Sequence, residues 1–141
     1  MEILELTTLT DQQAADLLDL MTQLNPELQI SRQMLLDAAQ DPSTHLFAAI
    51  DEGRIVGTAS LCVSHSPTGT KGGIEDVVVH SSYRGRHLGR QLIQHLMDYA
   101  ARECSPIVLH LTSRPEREAA NKLYQALGFR PYETNVYKLP L

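Results

Sequence analysis

The chain has 141 residues, 43% hydrophobic and 21% charged, with a net charge of −5. That length suits one domain over residues 1–141 with a two- or three-layer core, and the composition argues against disorder. The acidic balance argues against general nucleic-acid binding, and no apolar run approaches membrane-spanning length.

The first elements read as strand, helix, helix. Ile3, Leu4 and Leu6 suggest a short strand. Thr10-Asp11-Gln12-Gln13 is a capping-box start, followed by Ala14, Leu17, Leu18, Met21 and Leu24 on one helical face. Asn25-Pro26 ends that helix, and a second runs through Met34, Leu35 and Ala39 to the stop at Asp41-Pro42. Residues 45–50 and 54–63 are strand-like runs joined by Asp51-Glu52-Gly53, a hairpin signal. The polar, glycine-rich stretch 64–73 reads as a mobile loop.

Ile74 to Val79 then forms a central apolar strand. At period two, Glu75, Val77 and Val79 face one side, and Ile74, Asp76 and Val78 the other. Adjacent carboxylates within an apolar strand are unfavourable unless they are paired or sit at its mouth, which makes Glu75 and Asp76 site candidates. The plainer reading is a strand end emerging into solvent.

After the turn His80-Ser81-Ser82, Arg84-Gly85-Arg86-His87-Leu88-Gly89-Arg90 opens a helix with Leu88, Leu92, Leu96 and Tyr99 along one stripe. No acidic residue lies between Asp76 and Asp98. Glycines, three arginines and the unpaired amides of a helix start together make a phosphate cradle. A Walker loop is excluded because neither Lys nor Ser/Thr follows the second glycine, and a dinucleotide fingerprint because only two glycines are present.

Residues 106–111 read as the next strand. Ser113-Arg114-Pro115-Glu116 is a second capping-box signature, and Ala119, Ala120, Leu123, Tyr124 and Leu127 form a buried helix face ended by Gly128. Residues 133–139 read as a last strand. The order implies a mixed sheet with helices on both faces. Cys62 and Cys104 are read as reduced small hydrophobes, consistent with a start that lacks a leader pattern and with a cytoplasmic setting. The six histidines show no HxxxH or HExxH spacing, so no metal is expected.

The basic loop resembles the acetyl-CoA motif of the GCN5-related N-acetyltransferases (GNAT), Arg/Gln-x-x-Gly-x-Gly/Ala after a hydrophobic strand. Arg84, Leu88 and Gly89 fit it, with His87 where the first motif glycine is usual. Leu123-Tyr124-Gln125-Ala126-Leu127-Gly128-Phe129 matches the family's Leu-Tyr-x-x-x-Gly-Phe, about forty residues further on.

The resemblance implies an α/β fold: a mixed, mostly antiparallel sheet of six to seven strands flanked by four helices. Its fourth and fifth strands splay to admit the pantetheine arm. It further implies acetyl-CoA as cosubstrate and direct transfer to a primary amine of a small molecule in a ternary complex. Main chain of Val77, Val78 and Val79 would bind pantetheine and polarise the acetyl carbonyl, and Gly85 to Arg90 would hold the pyrophosphate. Tyr124 would act as general acid, and Asn121 would contact pantetheine or order Tyr124. Many relatives carry an Asn seven residues before this tyrosine; here it is Arg117.

Glu75 is the leading base, since it shares a strand face with cofactor-contacting residues, with Asp76 and His110 as alternatives. Gly73 to Val79 followed by Tyr83-Arg84-Gly85 is also similar to glucosamine-6-phosphate N-acetyltransferases, in which the Glu-Asp pair lies at the sugar site. A peptide amine is a competing acceptor. A non-catalytic CoA-binding module would keep the basic loop but need neither Tyr124 nor Glu75. Relatives often dimerise through C-terminal strands, which marks residues 133–139 as a candidate interface.

Overall fold

Residues 1–141 are described by a computed structural model. They form two compact parts, residues 1–111 and 112–141. The first holds β1 (Glu2–Leu6), α1 (Asp11–Leu24), α2 (Arg32–Gln40), β2 (Thr44–Asp51), β3 (Arg54–Ser66), β4 (Gly69–Val79), α3 (Leu88–Glu103) and β5 (Val108–His110). The second holds α4 (Glu118–Ala126). The strands lie in the order β1-β2-β3-β4-β5, antiparallel throughout except for the parallel β4–β5 pair.

Both early helices begin as their sequences dictate. Thr10 Oγ1 accepts from Gln13 N at 3.1 Å while Gln13 Oε1 accepts from Thr10 N at 2.9 Å, a complete capping box. Ser31 Oγ accepts from Met34 N at 3.2 Å to start α2. Their apolar faces join one side of the sheet, where Leu17, Leu20, Met21 and Ala39 pack with Leu46, Ala48, Ile55 and Val78. On the opposite side Phe47 meets His95 and Tyr99 of α3 edge-on, at ring-centroid distances of 5.2 and 5.3 Å. Leu92, Ile93 and Leu96 of α3 are fully buried, and each contributes about 1.5–3 kcal/mol by leaving water.

One link from α1 to the sheet is ionic. Asp16, buried on α1, receives Arg54 Nε and Nη2 and the Ile55 amide. Burial alone would raise its pKa, but hydrogen bonds from Arg54, Ile55 and Gln12 outweigh it and hold the carboxyl below 3.8. A depressed folded value means that this stabilisation is complete above the unfolded pKa and is lost as pH falls through the folded one. Acid unfolding followed by circular dichroism should therefore show a limb below pH 3.8 that Asp16→Asn abolishes. An unchanged limb in the variant would assign acid sensitivity to other carboxylates.

Three expectations need correction. Residues 64–73 are not a loop: β3 and β4 continue as a hairpin out to Ser66 and Gly69, and their polar composition reflects an exposed ribbon. The sheet has five strands rather than six or seven. Residues 133–139 carry strand-forming side chains but pair with nothing, and Tyr132, Val136, Tyr137 and Leu139 are exposed.

The alternation along β4 also breaks. Between the pairs Ser60↔Glu75 and Thr58↔Val78 β4 holds one residue more than β3, and Asp76 sits at φ 53°, so β4 carries a bulge. The extra residue shifts the phase. Glu75 and Val78 therefore share the α1/α2 side, whereas Ile74 and Val79 face α3. Glu75 and Val79 do not share a face.

Gly72 is required by packing. A methyl there would come within 2.7 Å of Leu109 Cδ2, 2.8 Å of Leu61 Cδ1 and 2.9 Å of Ile107 Cδ1. Methyl ends can turn, so Gly72→Ala should destabilise by about 1–2 kcal/mol, the lower part of the range for overpacking. Thermal unfolding should show a melting point several degrees lower, and an unaltered one would mean the site is loosely filled.

Candidate active site

The parallel pairing of β4 with β5 lasts for three residue pairs, Lys71↔Val108, Gly72↔Leu109 and Gly73↔His110. β5 ends there, so from Ile74 to Val79 β4 has no strand neighbour on that side. Main-chain groups on the side of β4 away from β3 are left for a ligand to meet over this stretch, apart from the Val79 carbonyl, which accepts from Arg84 Nε. Val78's side chain is buried in the core at the same time, while Val77 and Val79 are half-buried.

The chain leaves β4 through a 3₁₀ turn at Ser81–Tyr83, held by Tyr83 N donating to His80 O at 2.8 Å. Gly85 at φ 78° and His87 at φ 60° then take left-handed conformations. That explains why glycine is usual at the His87 position: the region is sterically easy only for glycine. His87 makes no side-chain cap, so the first amides of the sixteen-residue α3 have no side-chain partner, and Gly89 and Arg90 lie within that turn. Leu88 is buried and its side chain would meet a methyl on Gly57 at 3.4 Å, so it anchors the helix start to the sheet. Only its main chain is available to a ligand.

The arginines are not equivalent. Arg84 Nε donates to Val79 O at 3.3 Å, and the Arg86 guanidinium lies over the Tyr83 ring, 4.9 Å from its centroid. Arg90 makes no ion pair and is exposed. Tyr83 is in turn fixed by its hydroxyl donating to Asp51 Oδ2 at 2.6 Å, a bond that holds the phenol pKa above its ordinary value. The sequence does not signal the Asp51–Tyr83–Arg86 chain, because no acidic residue is near the loop along the chain. Its partners lie 32 positions apart, and no local pattern signals them.

Glu75 and Asp76 are both exposed, beside the end of β4–β5 pairing. The side chains of Glu75 and His110 flank Gly73. Cys62, paired with Gly73 in register, is half-buried, and burial pushes its thiol pKa up. It is un-ionised at neutral pH and a poor nucleophile.

In the second part, α4 starts at Glu118, later than the Ser113 capping signature predicts. The reason is a turn at 114–117 closed by Arg117 N donating to Arg114 O at 3.1 Å. Asn121 Nδ2 donates to the carbonyls of Arg114 and Arg117, both at 2.9 Å, so its amide hydrogens order this turn. Arg117 occupies the N-cap position without a side-chain cap.

At the other end, Gly128 N donates to Gln125 O and Phe129 N to Tyr124 O, with Gly128 at φ 103°. This is a Schellman motif, and the Tyr124–Phe129 edge-on contact at 6.1 Å is its apolar clasp. The Tyr-x-x-x-Gly-Phe spacing thus has a local structural cause. Tyr124 is buried, which raises its pKa; the nearby Arg117 charge offsets this only in part.

The sequence signature of the acetyltransferase (GNAT) family matches residues 9–129. The chain belongs to that family. Over 96 residues it is 40% identical to a glucosamine 6-phosphate N-acetyltransferase of Trypanosoma brucei brucei, covering 64% of this chain and 60% of the relative. Over 89 residues it is 29% identical to the N-alpha-acetyltransferase RimI of Mycobacterium tuberculosis, covering 63% and 54%. The chain thus spans only 54–60% of the length of these two relatives. A solved acetyltransferase of Trypanosoma brucei superposes with a TM-score of 0.77 at 29% identity, with 99% of each chain covered. Enzymes of the GNAT family use acetyl-CoA as cosubstrate.

Proposed function

We propose that the protein is an acetyl-CoA-dependent N-acetyltransferase that moves the acetyl group to a primary amine of a small molecule in a ternary complex. The observation that carries this is the arrest of β4–β5 pairing at Gly73, which leaves the end of β4 without a strand neighbour where it leads into an uncapped, arginine-bearing helix start. Acetyl-CoA would supply the acetyl group and a thiolate leaving group.

The chain's own groups then divide the work. Main chain of Val77, Val78 and Val79, on the side of β4 away from β3, holds the pantetheine and stabilises the tetrahedral oxyanion. The main chain of Gly85 to Arg90, with Arg84, Arg86 and Arg90, receives the pyrophosphate. Glu75 takes the proton from the acceptor ammonium, directly or through one water, and Tyr124 gives one to the thiolate. Asn121 acts on the cofactor side by ordering the 114–117 turn. Residues 1–141 serve as a single catalytic domain in the cytoplasm, and the exposed apolar residues at 132–139 support pairing with a second copy. A peptide amine is the second reading, favoured by the similarity to an N-alpha-acetyltransferase.

The test is thiol release from acetyl-CoA with glucosamine 6-phosphate, polyamines, amino acids, aminoglycosides and short peptides. Saturable release with one amine class is expected and names the acceptor. Tight acetyl-CoA binding without release from any would instead describe a CoA-binding regulatory module.

A further inference from the structure

Arg86 is held in place without being neutralised. Its guanidinium lies over the Tyr83 ring, 4.9 Å from the centroid, and forms no ion pair. An aromatic face attracts a cation through its quadrupole, so the charge is steadied without meeting a counter-charge. Yet carboxylates are at hand. The β2–β3 turn brings Asp51 and Glu52 up to the loop, and Asp51 touches Tyr83 itself, accepting its hydroxyl at Oδ2 over 2.6 Å.

One neutral side chain therefore stands between two opposite charges, meeting the carboxylate with its hydroxyl and the guanidinium with its face. The charges of Arg86, Asp51 and Glu52 all bear on the phenol, so the three lie close together. Tyr83 does not depend on Arg86 for its position. Its turn is tied to α1 by Ser81 N donating to Gln23 Oε1 at 3.0 Å. Ser82 N donates to His80 Nδ1 at 3.1 Å, and the His80 ring meets Tyr83 edge-on at 6.4 Å.

We infer that Tyr83 is a positioning residue for the donor's phosphates, a spacer whose hydroxyl occupies Asp51 and whose ring keeps Arg86 from being captured by that carboxylate. This rests on the reading that the basic loop receives the pyrophosphate of acetyl-CoA. Without the hydroxyl, Asp51 loses its bonded donor while an arginine with unspent N–H groups lies beside it. An ion pair within the protein then competes with the phosphate for Arg86. Asparagine at position 51 removes that competitor, and its amide oxygen still accepts the Tyr83 hydroxyl.

The experiment is titration calorimetry of acetyl-CoA on wild type, Arg86→Ala, Tyr83→Phe, Asp51→Asn and the double variant Tyr83→Phe/Asp51→Asn. Tyr83 is half-buried and keeps its ring in the variant, so the fold should persist. Tyr83→Phe should weaken binding about three- to fivefold, the span of one exposed ion pair. Asp51→Asn alone should bind at least as tightly as wild type, and the double variant should regain wild-type affinity. Tyr83→Phe binding as wild type does, with Arg86→Ala weakened, would overturn the spacer and leave the phosphate cradle standing. A loss in Tyr83→Phe that Asp51→Asn fails to reverse would overturn it too, and would assign Tyr83 to packing of the turn. Unchanged affinity in Arg86→Ala would remove the spacer together with the phosphate role of Arg86.

Discussion

Tyr124→Phe is expected to lower turnover roughly 100- to 1000-fold, within the range for a positioned general acid, while leaving acetyl-CoA affinity within about twofold. The substitution removes one oxygen and keeps the ring, so the clasp with Phe129 and the Gly128 terminus persist. Stability should hardly change. Burial keeps the phenol protonated beyond its ordinary pKa near 10, so the donor form is present throughout the neutral range. Wild-type kcat should accordingly show no alkaline loss attributable to this group below pH 10. Turnover equal to wild type in the variant would mean that water, not Tyr124, protonates the thiolate.

Charge reversal at Arg84 and Arg86 together is expected to weaken acetyl-CoA binding at least a hundredfold at low salt, about 2.7 kcal/mol. Each reversal exchanges an attraction for a repulsion near a phosphate. The deficit should shrink as salt rises, because exposed charges are screened over about 10 Å at 0.1 M. Arg86 also lies over Tyr83, so Arg86→Glu frees a ring that Asp51 still holds by its hydroxyl. Titration calorimetry at two ionic strengths reads both effects. Affinity untouched at low salt would show that the loop does not hold the phosphates.

The elements that local chemistry defines were legible in the sequence. Thr10 and Gln13 announce their capping box, the Leu88–Leu92–Leu96 stripe announces a helix on a sheet, and Gly128 announces a helix end. What escaped depends on partners far along the chain. Asp51 reaches Tyr83 only after the hairpin folds. Residues 133–139 have the side chains of a strand but lack the neighbour that would make them one. Ser113 begins a plausible cap, yet the 114–117 turn and Asn121 move the helix start onward. Motifs alone single out the basic loop and Tyr124 as candidates. The bulge at Asp76 could not be read from the sequence, because Glu-Asp-Val-Val-Val satisfies simple alternation equally well.

The bulge at Asp76 divides β4 into two segments that answer to different demands. Upstream, the exposed side chain of Glu75 can be exchanged without disturbing the core. Downstream, Val77 to Val79 offer main chain, which tolerates almost any apolar side chain that fits the core. A one-residue offset insulates one segment from the other. With the roles proposed above, such an enzyme could change the amine it accepts without retuning how it grips its acetyl donor.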